Sequence, residues 1–267
     1  MIFKRTATTL VAVPITIACV YWGGVPFFIL ILSFSLLAVN EFYNLMMKKG
    51  FFPAYVIGNT ITIAFIAFAF YAVKKNWEPA HSAILTLAAA LAMIAGVFLK
   101  REKDTIVDIA VTILGMIYVG WFMSYLLFIR NLSEHGGYLF FLLFTVWAMD
   151  ISAYLAGKYF GKTLLVPSIS PKKTWEGAIA GFTVCIVAAW ILTEMTGLLI
   201  WQALILGVMI GIIGQFSDLI ESLIKRDAGV KDSSDILPGH GGVLDRIDSL
   251  ILTAPLMYYY VVWVVIK

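Results

Sequence analysis

Charge is what this sequence has least of. Only 13% of its 267 residues are Asp, Glu, Lys or Arg, and 61% are hydrophobic. An ordinary soluble domain is about one quarter charged and about half apolar. A water-soluble fold of this composition would lack the polar side chains needed to cover its surface, whereas a bilayer would cover an apolar exterior. The net charge is only +3, and no nucleic-acid partner is expected. Cysteine is scarce too: Cys19 and Cys185 both sit inside apolar runs. That excludes a disulfide scaffold and any C-x-x-C metal site, and leaves both as small core residues. The G-x-x-x-x-G-K-[ST] spacing of a P-loop is absent, as are internal repeats and low-complexity stretches. Met1-Ile2-Phe3-Lys4-Arg5 and the apolar run behind it look like a signal peptide. No small-x-small cleavage site follows, so the segment is expected to stay as a first helix.

What the chain does have is long apolar runs. A spanning helix needs about 20 mostly apolar residues. Candidates fall near 7–22, 25–47, 53–73, 79–99, 105–129, 138–157, 175–196, 198–220 and 249–266. The predicted fold class is therefore all-α, a polytopic membrane bundle of about nine helices. Orientation follows from lysine and arginine, which gather on the cytoplasmic side. With the N-terminus inside, the cytoplasmic segments hold Lys4 and Arg5; Lys48 and Lys49; Lys100, Arg101 and Lys103; Lys158, Lys162, Lys172 and Lys173; and Lys225, Arg226, Lys231 and Arg246. The outer segments hold only Lys74, Lys75, Arg130 and Lys267.

Polar residues are unevenly spread. Residues 1–130 read as scaffold helices, in which Asn40 and Glu41 are an exception with a structural role expected for Glu41. Residues 131–267 carry two cytoplasmic loops, 158–174 and 225–248, dense in Lys, Asp, Ser and Gly. An ionisable group placed within a span costs about 2.5–3.5 kcal/mol at mid-depth and usually has a purpose.

Spacing of four puts Asp150, Tyr154 and Lys158 on one helical face ahead of the first loop. The loop continues through Lys162, Ser168, Ser170, Pro171, Lys172, Lys173 and Thr174 to Glu176-Gly177. Ser170 is predicted to cap the next helix, with Pro171 at its first position. Lysines and backbone N–H groups at a helix start suit phosphate oxygens. A loop that merely obeys the positive-inside rule would look much the same, so this loop alone decides nothing.

The second loop is more specific. Asp218, Glu221, Ser222 and Lys225 share a helical face, and Asp245 and Asp248 lie one turn apart before the last span. Two acidic segments bracketing Gly239, Gly241 and Gly242 suit a hard divalent cation such as Mg²⁺, which takes one or two carboxylates plus water and phosphates. Neighbouring lysines and arginines suit a polyphosphate. Salt bridging at a helix–loop junction is the plainer alternative. His240, flanked by glycines, is better placed to hydrogen-bond the turn or a phosphate than to shuttle protons. His81 and His135 fall at outer ends.

From Ser222 to Asp248 the chain resembles the signature of the phosphatidate cytidylyltransferases, the CDP-diacylglycerol synthases. Ser222, Lys225, Arg226, Lys231, Asp232, Pro238, His240, Gly241, Gly242, Asp245, Arg246 and Asp248 meet its fixed positions. Ser170-Pro171-Lys172-Lys173-Thr174 with Glu176-Gly177 is similar as well.

The resemblance implies a membrane enzyme joining CTP to phosphatidate with Mg²⁺, giving CDP-diacylglycerol and pyrophosphate, and it leaves room for a second cation, monovalent or divalent. It implies catalytic roles for Asp218, Asp245, Lys225 and Arg246. Metal ligands are expected among Asp218, Asp245, Asp248 and Glu221, with Asp232 a further candidate. Substrate contacts are expected from Asp150, Ser168, Lys172, Lys173, Lys225, Arg226, Lys231, His240, Gly241 and Gly242. A homodimer in the cell (inner) membrane, with its site facing the cytoplasm, is implied too. The rivals are a CTP-dependent lipid kinase, a cytidylyltransferase for another lipid phosphate and, from another class, a transporter. Transporters often spread charge through several mid-membrane helices and carry inverted repeats, neither of which is seen here.

Overall fold

The computed structural model describes residues 2–75, 80–98, 104–234, 236 and 241–266. Helices dominate. Four come first: α1 (Ile2–Trp22), α2 (Gly24–Lys48), α3 (Tyr55–Lys75) and α4 (His81–Phe98). One long rod follows, in which α5 (Thr105–Gly115) runs through a π-helical turn (Met116–Trp121) into α6 (Phe122–Asn131). Then come α7 (Gly137–Phe160), strands β1 (Leu164–Val166) and β2 (Ser170–Thr174), and α8 (Trp175–Ile191). After the single turn α9 (Thr193–Thr196), α10 (Ile200–Asp227) and α11 (Leu244–Tyr260) complete the chain, α11 ending in a π-helical turn, Val261–Val265.

Each of the nine predicted spans corresponds to one rod. Among the described residues, seven helices are long and apolar enough to cross a membrane, while Leu10–Trp22 and Trp175–Ile191 are shorter apolar helices. The chain is thus an all-α polytopic membrane bundle, apart from eight residues in two short strands. Leu91, Val97, Ile106, Ile151, Trp190 and Trp263 are exposed on the outside, as apolar side chains facing lipid would be. Inside, one contiguous apolar core draws on helices from both halves. α11 packs against both α2 and α6, so the two halves share that core.

α1 and α2 are separated at Gly23 and Gly24, whose φ values of 64° and 54° favour glycine. Arg130 closes this break by donating to the carbonyls of Val20 (3.1 Å) and Tyr21 (2.9 Å), which lack partners in their own helix.

Where α7, α8 and α10 meet, small residues let the backbones approach. A Cβ on Gly177 would lie 2.7 Å from the Ala153 carbonyl, and one on Gly207 would lie 2.8 Å from Ala189 Cβ. Without a hydrophobic force between helices in lipid, such close packing holds them together.

Two expectations need correction. Ser170 does not cap a helix, and Pro171 is not its first residue. Both lie in β2, which pairs antiparallel with β1 through Leu164–Thr174 and Val166–Ser170. The cap of α8 is Thr174, whose hydroxyl accepts from the Gly177 amide at 3.2 Å. The reason is local: Trp175 donates to the Thr163 carbonyl (2.9 Å) and Glu176 accepts from the Thr163 amide (3.1 Å). These bonds close the hairpin before a helix can start. The ends of the last two rods also move. α10 runs on to Asp227 and α11 begins at Leu244, because their charged residues find partners within the fold.

Candidate active site

The lysine-bearing ends of several helices come together on one side of the bundle. Lys49, just past α2, pairs with Asp227 at the end of α10 (2.5 Å). Arg226 donates to the Ile169 carbonyl of the hairpin turn (3.1 Å) and to Val230 (2.9 Å). Lys173 of β2 pairs with Asp218 of α10 (2.6 Å).

Beneath this side, Asp218, Glu221 and Asp248 each bring one carboxylate oxygen within 4.8 Å of the others. Helix geometry explains the grouping. Asp218 and Glu221 are one turn apart on α10, and Asp248 lies on the facing first turns of α11. Ser217 fixes the register by donating to the Asp248 main-chain carbonyl. Glu221 is fully buried, and among the described residues its Oε1 has no hydrogen-bond partner. Its Oε2 lies 2.5 Å from Lys225 Nζ.

Lys225 also reaches Asp245 Oδ1 at 2.5 Å. Asp245 Oδ2 accepts from the Ser233 amide (3.0 Å), the Ser233 hydroxyl (2.9 Å) and the Gly242 amide (2.7 Å). Thus the cluster joins three of the four expected metal ligands, while the fourth, Asp245, is committed to Lys225 and the chain at 233–242. Gly241 has a φ of 77°, and a Cβ there would lie 2.7 Å from Asp245 Oδ2. Glycine is required because the backbone wraps closely around that carboxylate.

Next to the cluster is a cavity of about 540 Å³, walled by Asp150, Tyr154, Lys158, Lys172, Lys173, Gln215 and Asp218 among others. The face shared by Asp150, Tyr154 and Lys158 therefore lines one side of it, and Ser249 reaches Asp150 at 3.4 Å. A second space of about 430 Å³ adjoins it between α8 and α10, lined by Trp175, Ile179, Phe182, Ile212, Phe216 and neighbours. The two share Leu165, Ala178, Gln215 and Leu219. The first carries lysines and carboxylates on a mixed lining, and the second is almost wholly apolar.

Other expected site residues lie further out. Ser168 is in the hairpin turn, away from the cavity wall. Lys231, Asp232 and Arg246 are exposed. His240 lies outside the described residues.

Sequence reasoning missed Tyr118 and, for Glu41, pointed to a structural role without its partners. The Tyr118 hydroxyl is buried and, among the described residues, has no hydrogen-bond partner; it lies within electrostatic reach of Glu221, Asp248 and Asp218. It sits on the π-helical turn of the α5–α6 rod, a feature frequent at functional sites, and nothing in its local sequence marks it. Glu41 sits in an apolar helix, and that rarity was the available signal.

A model of the cytidylyltransferase family matches residues 3–264. The chain is 33% identical to the phosphatidate cytidylyltransferase of Synechocystis sp., over 97% of this chain and 96% of the relative. It is 32% identical to that of Bacillus subtilis, over 96% of each, and 31% identical to that of Staphylococcus haemolyticus, over 95% and 96%.

Proposed function

The chain belongs to the cytidylyltransferase family, and from that premise we propose that it joins CTP to phosphatidate, releasing pyrophosphate and leaving CDP-diacylglycerol in the membrane for phospholipid biosynthesis. The observation that carries this reading is the continuity of the two spaces, one bearing lysines and carboxylates and the other apolar and open between α8 and α10. An amphiphile with an anionic head and acyl tails fits across them without its tails entering water.

In the reaction, a phosphate oxygen of phosphatidate attacks the α-phosphorus of CTP in line. The new P–O bond forms as the bond to the bridging oxygen breaks, and pyrophosphate leaves with that electron pair. The phosphomonoester is already anionic at neutral pH, so no strong general base is needed. Positioning and charge neutralisation carry the step. Lys158, Lys172 and Lys173 line the cavity where the triphosphate and the lipid phosphate would meet. Lys225, held between Glu221 and Asp245, presents a fixed positive charge beside the cluster. Arg226 holds the hairpin turn over α10, and Arg246 and Lys231 are exposed.

Asp218, Glu221 and Asp248 would hold a divalent cation. They are hard oxygen donors, and the buried Oε1 of Glu221, without a partner among the described residues, offers a lone pair that such an ion would satisfy. Mg²⁺, when bound, would supply neutralisation of phosphate charge, while Asp245 orients Lys225 and Asp150 shares the cavity wall with Lys173. We place this side of the bundle in the cytoplasm, where CTP is, and the protein in the cell membrane as the homodimer its resemblance implies.

Purified protein in liposomes should transfer label from cytidine-labelled CTP into the organic phase only when phosphatidate and Mg²⁺ are present. Asp218→Asn should lower the rate by about 100-fold or more, because it removes a charged ligand. Well-folded wild-type protein that yields no labelled lipid would sink the reading.

A further inference from the structure

Glu41 is a carboxylate of α2, in the half that reads as scaffold, and its side chain is almost completely buried. Burying such a group is expensive unless every lone pair is matched. Here they are. Oε1 accepts from the Ser234 hydroxyl (2.6 Å) and the Val243 amide (2.9 Å). Oε2 accepts from the Ser233 hydroxyl (2.9 Å) and the Leu244 amide (2.8 Å). All four of these partners are neutral.

The partners are not scattered. Val243 and Leu244 are the cap and first residue of α11, whose amides have no acceptors within their own helix. Ser233 and Ser234 lie at the other end of the Gly-rich segment. One buried side chain therefore ties both ends of residues 233–244 to α2. The connection continues toward the site. The Ser233 hydroxyl is 2.9 Å from both Glu41 and Asp245, and its single proton serves one of them at a time. Asp245 holds Lys225, and Lys225 holds Glu221. Gly242 packs so closely against Glu41 and Ser233 that no side chain fits there.

We propose that Glu41 is a positioning residue for the reaction. From the first half of the chain it fixes the start of α11, and so sets where Asp245, Lys225 and the Asp218–Glu221–Asp248 cluster stand relative to one another. Its effect on turnover rests on the function proposed above; the clamp itself does not.

Glu41→Gln tests it. Glutamine keeps the shape but turns one acceptor into a donor, so two of the four donors meet an NH₂ group. In the full-length protein, two quantities are read: amide hydrogen exchange and steady-state kinetics. The expected result is faster exchange in peptides spanning 231–248, with exchange in α3 unchanged. In kinetics, kcat should fall about tenfold or more while KM for CTP changes less than about threefold. A purely structural role would instead lower the amount of folded enzyme and loosen the molecule generally. Folded Glu41→Gln protein with wild-type exchange at 231–248, or with kcat within about twofold of wild type, overturns the proposal. If Glu41→Gln does not fold, Ser234→Ala strips one donor and uncovers no charge. It should lower kcat about threefold in the same direction, and wild-type behaviour there counts equally against the clamp. If wild-type protein makes no CDP-lipid, the proposed function fails while the exchange experiment still decides the clamp.

Discussion

At the scale of single residues, Lys225 is the pivot. Its side chain is 12% exposed and sits between Glu221 at 0% and Asp245 at 8%. Removing one partner from a buried ionic group leaves uncompensated charge and typically costs about 3–5 kcal/mol. Lys225→Met should therefore lower stability by about that much, measured by thermal unfolding in detergent. Adding Glu221→Gln to it should recover part of the loss, because residues in one network do not act additively. Much of this was legible. Asp218, Glu221 and Lys225 lie on one helical face by spacing alone, and the cluster follows once α11 is brought alongside. What could not be read is which carboxylate faces which partner, since Asp245 and Asp248 are equally spaced for either role. Glu41 was out of reach for a different reason. Its partners stand 192 to 203 residues away, and nothing local announces them.

At the scale of elements, glycines and chain ends decide the geometry. Gly177 brings α8 against α7, where an added Cβ would also lie 3.2 Å from Gly157 Cα. Gly177→Ala should cost about 1–3 kcal/mol through forced backbone shifts, again read from thermal unfolding. On the lipid side, Ile179 is 60% exposed and lines the apolar groove. Ile179→Trp should fill the groove with little effect on folding. It should raise KM for long-chain phosphatidate severalfold, by the one-to-few kcal/mol that pocket shape commands, and leave KM for CTP unchanged. Equal effects on both substrates would remove the groove from the account. The helical rods themselves were legible from hydropathy, but where their charged ends stop was not. Glu221 to Asp227 lie beyond the apolar span that ends near residue 220, yet they continue α10 because Glu221, Lys225, Arg226 and Asp227 all find partners. The hairpin was hidden too, since Ser170-Pro171 is equally good at a helix start and in an edge strand.

At the scale of the whole molecule, the lysine skew and the structure agree on two opposite sides. Lys49, Lys173 and Arg226 meet around the candidate site. Arg130 and the stacked rings of Tyr21 and His135 mark the far ends of α1 and α6. The proposed orientation, with the lysine-bearing side in the cytoplasm, rests on the positive-inside rule. It is testable with single cysteines after Cys19 and Cys185 are replaced by alanine. In intact cells, an impermeant maleimide should label Glu134→Cys and spare Lys231→Cys until the membrane is opened. The reverse pattern would put the site on the wrong side for CTP. Which part of CTP reaches the lipid separates cytidylyl transfer from kinase chemistry. Liposomes carrying the protein and phosphatidate are given Mg²⁺ with CTP labelled at either the α- or the γ-phosphorus. Label from the α position should enter the lipid phase, and label from the γ position should stay in water as pyrophosphate. Lipid-phase label from the γ position would mean kinase chemistry and would contradict cytidylyl transfer.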